Sequence, residues 1–170
     1  GGINATGLIG LAGQAITTTG TGVLSAALTA SVQAATAINL GGLSAGQATL
    51  LQAIDSATLA PGPVSVASLS SGQPVTVLGS SVTIGSPGTL TFASASAQGG
   101  DLTITTTGDL TMPDTATTGS ASLTAGGALH LAGTLSAANI ALTAGTDILT
   151  DAGVTTLGTW PDAKAAASCA

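Results

Sequence analysis

Residues 99–112 read GGDLTITTTGDLTM and residues 121–153 read ASLTAGGALHLAGTLSAANIALTAGTDILTDAG. Both stretches are built from triplets of the form apolar, Thr, apolar. Val82-Thr83-Ile84, Leu90-Thr91-Phe92, Leu102-Thr103-Ile104 and Leu110-Thr111-Met112 are strict examples. Ala121-Ser122-Leu123, Leu129-His130-Leu131, Ile140-Ala141-Leu142 and Ile148-Leu149-Thr150 are looser ones. Their first residues lie 8, 12, 8, 11, 8, 11 and 8 positions apart. An alternation this regular defines a unit of two triplets and 19 to 20 residues.

Superposing units at 19 residues puts Ile104, Leu123 and Leu142 in one column and Leu110, Leu129 and Ile148 in a second. A third column, Ala116, Leu135 and Val154, implies a third strand per unit. Gly108 aligns with Gly127 at a corner, where a residue without Cβ is expected to take positive φ. One such unit is too small to bury its own apolar side, so units must stack and bury the columns as aliphatic ladders. In a strand, successive side chains point to opposite faces. The outer residues of each triplet therefore point inward. Thr83, Thr91, Thr103, Thr111, Ser122, His130, Ala141 and Leu149 point out. The expected fold is all-β, a parallel β-helix with coils of 19 to 20 residues.

Composition agrees and removes other classes. Of 170 residues, 44% are hydrophobic, yet the only aromatics are Phe92 and Trp160. Seven Asp and one Lys supply every formal charge, for a net −6. Nucleic-acid binding needs cationic side chains, and Lys164 alone cannot supply them. A helical bundle would carry Glu, Lys and Arg on its outer face. Mean hydropathy is +0.61, but Gly, Ala, Thr and Ser interrupt every apolar run, so no stretch of about 18 residues reads as a membrane span. No basic segment precedes an apolar core at the N-terminus, so no signal peptide is read there.

Upstream, Val64-Ser65-Val66 and Val75-Thr76-Val77 are triplets of the same kind, with Pro61, Pro63 and Pro74 at their edges. Residues 61–156 are assigned to coils. Residues 1–60 form an apolar Gly-, Ala- and Thr-rich segment with two readings. Ile38-Asn39-Leu40 has the triplet form, and Leu28-Thr29-Ala30 echoes Leu123-Thr124-Ala125, which favours further coils. Against this, Ser44 to Gln47 matches a capping box and Leu50, Leu51 and Ile54 follow at helical spacing, which favours a short helix over 44–57. Residues 157–170 read as a tail. It holds Trp160, a plug over the last coil or an exposed contact, and Cys169, a lone thiol or an intermolecular bridge.

The runs at 99–112, 121–153 and 40–53 (LGGLSAGQATLLQA) resemble haemagglutinin-type repeats of filamentous-haemagglutinin-like, two-partner-secreted exoproteins of Gram-negative bacteria. The resemblance implies a right-handed β-helix, export across the outer membrane, and adhesion or a place in biofilm matrix. The Asn-Pro motifs of that family's secretion domain are absent from this chain.

Catalytic candidates are few. His130, the only histidine, stands at an outward position, and with one His and one Cys a common zinc site cannot be built. No Gly-x-Ser-x-Gly elbow or phosphate-binding loop occurs. Asp109 and Asp147 occupy equivalent positions two coils apart, about 10 Å at ~4.8 Å per coil, close to the wide end of the separation of inverting glycosidases, about 6.5–9.5 Å. Asp114 and Asp151 share another corner. Asp after Gly is also ordinary turn chemistry. No catalytic residue, metal ligand or cofactor is assigned. The favoured function is a non-catalytic structural or adhesive protein of a bacterial surface or extracellular matrix. Its partners would be further copies of itself, flanking coils of a longer chain, or surface glycans. A filament subunit is the alternative, and a polysaccharide-processing β-helix enzyme ranks last.

Overall fold

The computed structural model describes residues 2–18 and 20–151, together with the backbone of 156–159. Among them the regular structure is entirely β, and the strands stack parallel into a solenoid of about eight turns. Each turn contributes to three faces. The first face holds Ile3–Ala5, Val23–Ala26, Gly42–Ala45 and Leu69–Ser71 and, after a break, the start of Leu90–Ala97, then Leu110–Met112, Leu129–Leu131 and Ile148–Thr150. The second runs from the start of Ile9–Thr17 through the start of Ala30–Leu40, Thr49–Ala53, Val75–Gly79, the end of Leu90–Ala97 and Thr115–Thr117 to the start of Leu135–Ala144, which pairs with Thr156–Thr159. The third runs through Ile38, Val64, Val82, Leu102, Ala121 and Ile140.

The core is the set of columns that this stacking generates. Ile104 pairs with Leu123 and Leu123 with Leu142; Leu110 pairs with Leu129 and Leu129 with Ile148. Ile104, Leu110, Leu123 and Leu129 have no measurable exposure, and each such burial contributes about 1.5–3 kcal/mol. Ile148, on the last first-face strand, is 37% exposed because no described strand follows it. The outward set from Thr83 to Leu149 is half-buried or exposed throughout, and the period-2 alternation holds on the strands from Val82 to Leu142, whereas Ile148–Thr150 is exposed at all three positions.

The described residues before Ile54 build coils. Of the two readings of this segment the coils hold: in place of a helix at 44–57 stand the strands Gly42–Ala45 and Thr49–Ala53, with Leu51 and Ala53 inward and Leu50 and Gln52 half-buried on the outer side. The backbone groups of that segment are used by the coils on either side, which a lone helix turn could not match. Ile38 and Leu40 are buried with Asn39 exposed between them, as the triplet form required. The echo between Leu28 and Leu123 fails: Leu28 is 42% exposed at a corner, and Ala30, not Leu28, points into the core.

Two further expectations are corrected. The third column is Thr115 over Leu135, with Ala116 exposed and paired to Ser136, because the turn Ala132–Thr134 is one residue longer than its counterpart at 113–114. Val154 lies outside the described residues. At the corners, Gly20 and Gly99 are the glycines with positive φ among the described residues, and Gly108 and Gly127 do not share it. Gly127 is needed for space, since a Cβ there would collide with the Asp109 carboxylate.

Inward hydroxyls lie where strands meet corners. Thr106 donates to Gly108 O at 2.9 Å, Thr115 to Pro113 O at 2.9 Å, and Thr49 to the Ser71 hydroxyl at 3.0 Å. No buried side-chain polar atom lacks a partner among the described residues, as low-dielectric burial demands.

Candidate functional site

Three of the aspartates singled out in the sequence, Asp109, Asp114 and Asp151, have structural partners, and Asp101 joins them. Asp101 Oδ1 accepts the Ser120 N–H at 2.7 Å, Asp109 Oδ1 that of Ala128 at 2.8 Å, and Asp114 Oδ1 that of Thr134 at 2.7 Å. Each carboxylate reaches 19 or 20 residues on, to the next coil, instead of closing its own turn. A glycine precedes each donor: Gly119, Gly127 and Gly133 lie so close to these carboxylates that a Cβ would collide. The unit is thus an aspartate clasp, in which a Gly-X step on one coil is held by the Asp of the coil before. Backbone N–H to carboxylate bonds are charge-assisted and among the stronger kinds.

Asp109, Ala128 and Asp147 do form one column, since Leu110 N donates to Ala128 O and Leu129 N to Asp147 O, each at 2.9 Å. The Asp109 carboxylate is held by the clasp. Asp151 Oδ1 lies 2.8 Å from His130 Nε2, an exposed pair, while Asp114 holds Thr134. The two corner aspartates therefore serve different contacts. Among the described residues no three His, Cys, Asp or Glu side chains gather in a metal-binding group. No helix among them is long and apolar enough to cross a membrane. Trp160 and Cys169 lie outside the described residues.

The beat breaks conspicuously at one place. Successive third-face residues Ile38 and Val64 are 26 positions apart, against 18 to 20 from Val64 to Ile140. The excess forms an excursion closed by an antiparallel bridge between Ile54 and Pro61. Asp55 organises it: its Oδ1 accepts the Ala57 N–H at 2.8 Å and the Thr58 N–H at 3.3 Å, and its backbone O accepts the Leu59 N–H at 2.7 Å. The Ala57 and Thr58 N–H groups hold the Asp55 carboxyl below its ordinary value. Leu59 sits at φ 56° and is 74% exposed. A left-handed leucine costs on the order of 1 kcal/mol, and an exposed one regains nothing by burial.

Between this excursion and the second face lies an open groove of about 430 Å³. Ala12, Gln33 and Gln52, one from each of three stacked coils, lie along its floor, and Ile54, Ser56 and Leu59 form its wall. Sequence reasoning missed this site. The available signal was the seven-residue surplus between the Ile38 and Val64 triplets, which that reading left inside an undivided N-terminal segment.

The class defined by this architecture is the parallel β-solenoid, here with a mainly aliphatic core that also buries Phe92 and Met112. No family model, curated protein or solved structure matches the chain.

Proposed function

We propose that the chain is a non-catalytic structural or adhesive solenoid of the filamentous-haemagglutinin-like kind, exported to a bacterial surface or extracellular matrix. The observation that carries the reading is the use made of its polar side chains. Inward hydroxyls satisfy corner carbonyls, and the aspartates at 101, 109 and 114 tie coil to coil. Outside, Thr and Ser form a neutral sheath along the coils. Such a shaft separates or displays other surfaces without doing chemistry of its own. The resemblance at 99–112 and 121–153 adds the two-partner export route. Protease shaving of intact source cells is the direct test. Release or cleavage of the protein by protease on intact, unlysed cells supports the reading, and its persistence inside shaved, unlysed cells refutes it.

A second reading, a filament subunit, rests on the apolar side chains at the two ends. Ile3 and Leu8 are 50% and 68% exposed on the first described coil, and Leu149 is 50% exposed on the last described first-face strand. Flanking coils of a longer chain or a second copy would cover them, since an open coil edge is a template for pairing. Particle mass measured on the isolated chain separates these: uniform fibres support the subunit reading, and a monomer at high concentration refutes it.

A further inference from the structure

We propose that the groove under the 54–61 excursion is a binding site for an uncharged oligosaccharide, held by Gln33 and Gln52. This deepens the adhesive side of the proposed function and rests on it only in that respect.

Ala12 stands on the edge strand Ile9–Thr17, but Gln33 and Gln52 lie on inner strands of the second face, where backbone N–H and C=O groups are already used by the coils on both sides. A peptide cannot add there as a new strand, because main-chain pairing needs a free edge. What the floor offers instead is side-chain amides. Gln33 and Gln52 are register partners on consecutive coils, so their amides are based about 4.8 Å apart. Neither amide makes a hydrogen bond among the described residues. Each carboxamide presents one acceptor and one double donor, which matches adjacent hydroxyls on a sugar ring, each able to donate and accept.

Charge selects in the same direction. No Lys, Arg, His, Asp or Glu side chain lines the groove, and the one carboxylate of the excursion, Asp55, is turned to its own N–H groups. An anionic ligand finds no cation, and a cationic one no free anion. The apolar wall of Ile54 and Leu59 supplies a surface for the C–H face of a ring. Leu59 carries the strongest indication of use. The chain holds an apolar side chain in solvent, on a strained backbone, over a groove whose polar groups are unpaired. Strain of this kind persists where the surrounding structure imposes it, and it gathers at ligand clamps. The three floor positions span two coil spacings, about 10 Å, enough for a short oligosaccharide segment.

The test is titration of the intact chain, by calorimetry or ligand-observed NMR, with cellotetraose, maltotetraose and chitotetraose. A tetragalacturonate and a neutral Gly-Ser peptide serve as the charged and peptide arms. At least one neutral tetrasaccharide should bind saturably at or below about 1 mM. Gln33→Ala with Gln52→Ala should weaken it at least tenfold with unchanged circular dichroism. Leu59→Gly should weaken binding several-fold without lowering the unfolding midpoint, since glycine accepts the left-handed backbone. Absence of neutral-sugar binding, binding of only the galacturonate or only the peptide, or binding indifferent to the double substitution overturns the proposal. Fibres that bind no sugar refute this site and leave the structural reading standing; a monomer that binds a neutral tetrasaccharide does the reverse for the filament reading.

Discussion

Between Ile3 and Gly79 the chain has one carboxylate, Asp55, and it bonds within its own loop. Between Val82 and Asp151 it has five, three of which reach into the next coil. The early coils use neutral groups for the same purpose: Thr36 donates to Gln14 O, and Gly41 N–H donates to the Thr18 hydroxyl, both at 2.8 Å. The two halves also place their corners differently. In the early coils the third-face strand is short, as in Val64–Val66, and a first-face strand such as Leu69–Ser71 starts soon after. In the later coils the third face lengthens to Val82–Ser86 and Leu102–Thr106, and Phe92 of the first-face strand lies over Val75 of the earlier second face. The first-face ladder is interrupted at this seam. Two corner designs therefore coexist in one continuous core, because the parallel ladders of the other faces run through the seam.

The strongest effects are expected in the core. Leu129→Asp would place an unpaired charge in a fully buried column of the later coils. The expected loss exceeds about 4 kcal/mol, enough to abolish the cooperative unfolding transition in urea. Leu51→Asp should do the same in the early half, since Leu51 is equally buried. Thr111→Asp, on the outer side of its strand, should change stability by no more than about 0.5 kcal/mol. If Leu129 and Thr111 substitutions had equal effects, the assignment of inward and outward positions would be wrong.

A middle-sized effect separates the corner designs. Gly127→Ala must displace the Asp109 carboxylate, at a cost of about 1–3 kcal/mol. Gly10→Ala, in an early strand with open space around its Cβ position, should be neutral or stabilising by up to about 1 kcal/mol. Urea midpoints of the two variants measure the contrast, and a tolerated Gly127→Ala would dismiss the clasp as a packing constraint. A smaller loss tests the carboxylate itself. Asp109→Ala leaves the Ala128 N–H without its acceptor and should cost about 1 kcal/mol, with faster hydrogen exchange at that amide. Asp109→Asn keeps a side-chain carbonyl and should recover most of the protection.

The repeat was legible where side-chain contrast was high. From Val82 onward, Val, Leu and Ile alternate with Thr, so pattern and pleat agree and the two core columns follow directly. Before residue 60 the inward positions are often Ala, as at Ala26, Ala30, Ala34, Ala45 and Ala53, while Leu50 stands on the outer side. Small inward and large outward residues erase the period of two, and the remaining Leu50, Leu51 and Ile54 imitate a helix. The clasps were hidden for another reason. Alternation describes which way a side chain points from its own strand, whereas a clasp joins one corner to the next. The pattern that reveals it is Asp followed by Gly 18 or 19 residues later, present at Asp101–Gly119, Asp109–Gly127 and Asp114–Gly133.

The finest distinction is between a carboxylate that spans coils and one that folds its own loop. Asp55 accepts the N–H groups of Ala57 and Thr58, chiefly the former, and these hold its folded-state value below the ordinary 3.8. A lowered carboxyl value contributes stability that is present above the unfolded value and is lost as pH falls through the folded one. The excursion should therefore loosen only below about pH 3.8. Because the carboxylate is exposed to solvent, the change should stay local. Amide shifts of Ala57 and Thr58 followed by NMR from pH 6 downward, roughly to pH 2, should titrate together, with a midpoint under 3.8. Core amides such as those of Val32 and Leu51 should keep their hydrogen-exchange protection through the same step. Asp55→Asn should remove the titration while leaving the coils intact. If the core amides lost protection at the same midpoint, the excursion would be part of the cooperative core and not a loop built on its side.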